Sequence, residues 1–182
     1  MHARIWLTAS AVLLTTGCGA QPRPVAVPAV DPVTVEVAAA SSGGACRLLD
    51  FAVIEEHLGV RFDVAAASDK GDTHTCVVRA EGATLPELTL TVTDTSIDVP
   101  TFNADVLPDG AAKVAKLGQV AYRRTLAKTA KHGPVAEVGW LATEDRLATL
   151  HWTCERGAPK AQAEELTGKL VSLAKKINTR AM

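Results

Sequence analysis

Aromatic residues are scarce in this chain of 182 residues: three Phe, three Trp and one Tyr, 4% of the whole. A core must therefore be built from Ala, Val and Leu, within an apolar share of 47%. That is enough for one domain. Charge excess is also missing. The formal net charge is −1, and it becomes −2 without the first 17 residues, whose one ionised side chain is Arg4. With no net positive field and no basic stripe interleaved with aromatics, nucleic acid is excluded as a partner. There is no Cys-x-x-Cys, no Gly-rich phosphate loop, no nucleophile elbow and no paired-carboxylate signature. Internal repeats are absent too.

The N-terminus carries an export signal. Arg4 is a positive leader, and Ile5 to Leu14 is an apolar run roughly half as long as a helix needs to span a bilayer. Leu14-Thr15-Thr16-Gly17-Cys18-Gly19 follows. It resembles a bacterial lipobox, in which the cysteine receives diacylglycerol and becomes the first mature residue. Thr15 stands where that motif usually has Leu. The alternative is a plain secretory signal, cut after Cys18-Gly19-Ala20. The lipobox makes residues 1–17 a lipoprotein signal peptide and Cys18 the lipidation site. Its two acyl chains suffice for stable anchoring, at about 0.8 kcal/mol per buried methylene. The expected location is the outer face of the cell membrane, with the lipid on Cys18 as the membrane contact.

Residues 18–45 then read as the lipidated cysteine and a tether. Pro22, Pro24, Pro28 and Pro32 stiffen its first part, and Ser41-Ser42-Gly43-Gly44 loosens its end. Its reach lies between about 30 Å as a coil and about 80 Å fully extended. Val33, Val35 and Val37 alternate with Thr34 and Glu36, a pattern a short strand would give.

Residues 46–182 form a single domain in this scheme. Asp50 is placed to cap a helix with Leu49, Val53, Ile54 and Leu58 at helical spacing, and Gly59 ends it. Strands are expected around Thr73 to Arg79, around Leu88, Leu90 and Val92, and over Val120 to Leu126. A hairpin over Val135 to Leu141 and Arg146 to Thr153 turns at Thr143-Glu144-Asp145. Between them, Pro100 and Pro108-Asp109-Gly110 mark an irregular stretch with room for one helical turn. Pro159 suits a first helical turn, and Leu166, Leu170, Leu173 and Ile177 give the last helix its apolar stripe. The order predicts an α+β fold: an antiparallel sheet packed by a short N-terminal helix and a C-terminal amphipathic helix.

Cysteines stand at 18, 46, 76 and 154. Outside the cytoplasm thiols tend to pair. With Cys18 lipidated, three remain, so at least one has no partner within the chain. Cys46 with Cys76 is the preferred pair; Cys76 with Cys154, across the sheet, is the alternative. Cys154 alone is either a small buried hydrophobe or a reactive thiol.

Cys46-Arg47-Leu48-Leu49 leading into a helix that ends Leu58-Gly59, a second cysteine in a strand, Leu117-Gly118-Gln119-Val120-Ala121-Tyr122, and a terminal amphipathic helix together resemble a family. It is that of the actinobacterial cell-envelope lipoproteins built on a domain of unknown function with a Cys-x-Leu-Leu start. The resemblance covers about residues 44 to 179. Val78 replaces an aromatic frequent in the family, and Cys154 is extra to its pattern. It implies an envelope lipoprotein with a Cys46–Cys76 disulfide, and no catalytic residues to carry over.

The histidines have no metal spacing around them, and no cofactor is expected. Arg123-Arg124, Lys128 and Lys131-His132 form one basic stretch, either a solvated strand edge or a contact for anionic headgroups or wall polymer. Trp140 and Trp152 on the hairpin are core or, with Arg123 and Arg124, a partner surface. The anchor, the tether and the lack of catalytic motifs point to a non-enzymatic binding or accessory module of the cell envelope, with an envelope protein or a small molecule as partner. The alternative is a small-ligand carrier or sensor with an apolar pocket between sheet and terminal helix. A remote alternative is a thiol enzyme using Cys154 with His151.

Overall fold

The computed structural model describes residues 39–143 and 145–182. Cys18, the signal peptide and the Val33–Val37 segment lie outside the described residues. Seven strands form one antiparallel sheet: β1 (Val64–Lys70), β2 (Thr73–Arg79), β3 (Glu87–Asp94), β4 (Ala112–Lys113), β5 (Val120–Leu126), β6 (Val135–Leu141) and β7 (Arg146–Thr153). Their order is β1-β2-β3-β7-β6-β5-β4. Three helices accompany them: α1 (Phe51–Leu58), the short α2 (Val99–Thr101), which runs into a π-turn at Phe102–Val106, and α3 (Lys160–Ala174). The fold is α+β, as the alternating strands and the two amphipathic helices predict. No described helix is long and apolar enough to cross a membrane.

Local chemistry explains the helix ends. Asp50 accepts hydrogen bonds from the Ala52 and Val53 N–H groups at 2.8 and 3.2 Å, satisfying two donors that α1 leaves open. Gly59 closes the helix with φ of 72°, a conformation glycine adopts without penalty. Asp98 caps α2 through the Thr101 N–H at 2.9 Å. Pro159 sits one position earlier than the spacing implied, as the cap of α3 rather than within its first turn.

The strand period of two divides the sheet cleanly. Cys76, Val78, Leu88, Leu90, Val92, Ala136, Val138, Trp140, Ala148, Leu150 and Trp152 all point to the face covered by α1 and α3. There they meet Ile54, Leu58, Leu166, Leu170 and Leu173. Phe62 stacks at a tilt on Trp152, ring centroids 5.5 Å apart. The Cys46–Cys76 disulfide ties the start of this unit to β2 across 30 residues. Closing such a loop is worth about 3–4 kcal/mol in the chain-entropy model. Packing begins before Cys46: Ala39 and Ala45, assigned above to the tether, are fully buried.

Among the described residues, the opposite face is covered only in part. The segment between β3 and β4 lays Phe102 onto Tyr122 and Leu141, with Ile97, Val99, Val106 and Leu107 around them. This second, smaller cluster lies over β5, β6 and Leu147 of β7. Beyond it Thr75, Val77, Thr89, Thr91, Thr149, His151 and Thr153 form a half-exposed field.

Candidate functional site

At the boundary between the covered and the open half of that face lies Glu137, 2% exposed, in the middle of β6. Register brings its partners to it. Arg124 of β5 and His151 of β7 stand directly opposite Glu137, on either side. Tyr122 is paired with Gly139, one step along the same face. Glycine is required there: a Cβ at Gly139 would lie 2.5–2.8 Å from Cε1, Cζ and the hydroxyl of Tyr122. The phenol ring therefore lies flat against β6 and carries its hydroxyl to Glu137.

Four donors converge on the carboxylate. Tyr122 donates its O–H to Oε1 at 2.7 Å, and Arg124 donates Nε–H to Oε1 at 2.8 Å and Nη2–H to Oε2 at 3.1 Å. His151 Nε2 lies 3.2 Å from Oε2. Burial by itself pushes the Glu137 carboxyl up. The hydrogen bonds from His151, Arg124 and Tyr122 outweigh it and bring the group down to about 2. Tyr122 moves strongly the other way: burial, the bond to Glu137 and its charge all hold the phenol neutral, with Arg124 opposing.

This sets what the site can do. A carboxylate has about four lone-pair positions, and all four are engaged, so Glu137 has no capacity left to take a proton from a substrate. It is an ionised post that fixes Arg124 and His151. Those two remain about a third exposed, at 32% and 39% of their side chains; His151 borders the threonine field, and Arg124 lies on the other side of Glu137. Thr89 stands opposite His151 on β3, and Thr91 opposite Thr149. The result is a firm polar surface with hydroxyl, guanidinium and imidazole groups in strand register.

The other residues singled out from sequence fall elsewhere. Trp140 and Trp152 are buried at 2% and 3% under the helices, so they do not form a partner surface. Too few aromatics exist to fill this core otherwise. Arg123 is exposed on the helix side of β5, whereas Arg124 turns to Glu137; both line an open recess of about 490 Å³ with Asp109, Lys160 and Glu164. Cys154 is free and 1% exposed. Burial pushes its thiol up, with Trp152 beside it pulling down, which leaves the thiolate a thiol enzyme needs neither populated nor reachable. Where α3 meets the edge of the sheet at β5, the recess of about 490 Å³ is open and lined mainly by polar side chains, among them Arg123, Thr125, Lys160, Glu164 and Thr167. A surface groove of about 270 Å³ lies between α1 and α3, lined by Leu48, Val53, Leu173 and Ile177 and by the charged or polar Asp50, Glu56, His57 and Lys176. No group of three or more His, Cys, Asp or Glu converges among the described residues.

Glu137, Tyr122 and the contact of His151 with Glu137 were not singled out from sequence. One signal was available: a lone carboxylate inside Val-Ala-Glu-Val-Gly-Trp-Leu, where burial demands a partner. The chain matches no protein-family model, and no curated protein or solved structure is found to be similar to it.

Proposed function

We propose that this chain is a non-enzymatic binding module of the cell envelope, held on the outer membrane face by a lipid on Cys18, and that it binds through the open half of its sheet. We group it with the actinobacterial lipoproteins it resembles. The Cys46–Cys76 bridge, the helix that follows Leu49 and the terminal helix support that grouping.

The observation that carries the binding surface is the saturated Glu137 beside an uncovered field of threonines. A buried ion pair is a poor means of gaining stability, because apolar residues of similar volume serve as well or better. Here it fixes Arg124 and His151, and His151 borders a sheet region that no described helix covers. Rigid polar groups on strands lose little entropy when a partner docks. The same saturation argues against catalysis by Glu137.

The test is site-directed photo-crosslinking of the anchored protein in its native envelope. A benzoylphenylalanine at Thr89 or at Thr149 is expected to give one discrete adduct. The same group at Glu165 or Ser172, on the outer side of α3, is expected to give none. Adducts of equal yield from both faces, or from neither, overturn the assignment.

A further inference from the structure

We infer a second surface: the end of the domain built from the β5–β6 loop, the loop after β7 and the start of α3 docks on an anionic phospholipid bilayer. The β5–β6 loop carries Lys128 and Lys131, the loop after β7 carries Arg156, α3 opens with Lys160, and Arg123 projects from the adjoining strand edge. All five are exposed. The carboxylates among them are Glu155, Glu164, which lies 3.2 Å from Lys160, and Asp109, which lines one recess with Arg123 and Lys160. This end thus holds an excess of two positive charges in a chain whose formal net charge is −1. The balancing negative charge lies elsewhere.

The cations are assembled by the fold rather than by one run of sequence. Gly133 N–H donates to the Cys154 carbonyl at 3.0 Å, and Cys154 N–H donates to the Pro134 carbonyl at 3.1 Å. A Cβ at Gly133 would sit 2.1 Å from the Glu155 carbonyl oxygen, so only glycine allows the two loops this close. A tight turn, with Thr129 N–H donating to the His132 carbonyl, presents Lys131 at the loop tip. Between the loops lies a recess of about 340 Å³, walled by Ala127, Pro134, Gly157, Ala158 and Pro159 and flanked by Lys128 and Lys160.

The chemistry fits a headgroup layer. Ammonium and guanidinium groups at loop tips meet phosphates, and small apolar side chains between them let the backbone approach the headgroups. This inference rests on the anchored reading of Cys18 for its consequence. A lipidated chain stays within tether reach of the bilayer, and docking by this end stands the strands upright, so the threonine face looks sideways rather than into the membrane. Its own evidence, the charge distribution, does not depend on the lipid.

Residues 39–182 contain their own core and disulfide, so residues 19–182 can be prepared without lipid. Binding is measured by co-sedimentation with phosphatidylcholine vesicles and with vesicles of phosphatidylcholine and phosphatidylglycerol. At roughly fivefold per cation near an anionic surface, two excess charges give about a 25-fold preference for the anionic vesicles. The preference should collapse as salt shortens the Debye length. Lys128→Glu/Lys131→Glu/Arg156→Glu, checked for an unchanged melting curve, should abolish it. Lys175→Glu/Lys176→Glu, at the other end of α3, should keep it. Equal binding to both vesicle types, or equal weakening by both sets of substitutions, overturns the inference. Open-face crosslinks in cells without an anionic preference would remove this surface and leave the binding function standing. The preference without those crosslinks would do the reverse.

Discussion

Replacing Glu137 by Gln keeps its volume and removes its charge. In the wild type the carboxyl goes from an ordinary value of 4.5 to about 2 on folding. At 1.36 kcal/mol per unit, this single group contributes about 3 kcal/mol. The folded value lies below the unfolded one, so the contribution is fully present above about pH 4.5 and is lost as pH falls through about 2. Glu137→Gln should therefore cost about 3 kcal/mol at neutral pH. That is the low end for breaking a buried pair, because Arg124 is exposed enough to turn toward water. The assay is urea unfolding of both proteins at a series of pH values. The difference in stability between wild type and variant is expected to be largest near neutrality and to shrink toward zero near pH 2. A difference below about 1 kcal/mol at pH 7, or one that does not change with pH, would refute the assignment of Glu137 as an ionised post.

Two further outcomes follow from the same geometry. Gly139→Ala should displace the Tyr122 ring and cost about 2–4 kcal/mol, from overpacking and the lost bond to Glu137. In a Tyr122→Ala background the same change should be neutral or slightly stabilising, since a strand interior disfavours glycine; thermal melts of the four proteins close the cycle. Cys154 should resist iodoacetamide in the native protein and react fully in urea, as mass spectrometry of the intact chain would show. Native labelling at a rate close to that of a free thiol would contradict its burial.

Most of the sheet was legible because its strands carry their partners' periodicity. Leu88, Leu90 and Val92 alternate with threonines, and β5, β6 and β7 were delimited at Val120–Leu126, Val135–Leu141 and Arg146–Thr153, as found. The edge strand β1 was not legible. Val-Ala-Ala-Ala-Ser-Asp-Lys has little strand preference, and pairing with β2 from Val64↔Arg79 to Lys70↔Thr73 imposes its conformation. The α2 turn followed from Pro100, but not its π continuation or its place on the sheet, because Phe102 docks on Tyr122 and Leu141 from distant sequence. The polar site escaped for the same reason. Arg124, Glu137 and His151 are far apart in the chain, and only register makes them neighbours. The tryptophans, too, are ambiguous on a strand until one knows which face the helices cover.

The Cys46–Cys76 bridge also has a mechanical meaning. The described chain enters beside β1, where the Ser42 hydroxyl donates to the Ala65 carbonyl, and reaches the bridge within a few residues. A pull on the N-terminus, as from a tether under load, would strip the contacts of Ala39 to Ala45 and then meet a covalent stop. From Cys46 the force passes directly to β2, a strand hydrogen-bonded on both sides. α1 and the edge strand β1 lie within the bridged loop and bear none of it. The domain is thus loaded at a strand paired on both sides and not at the edge strand of its sheet.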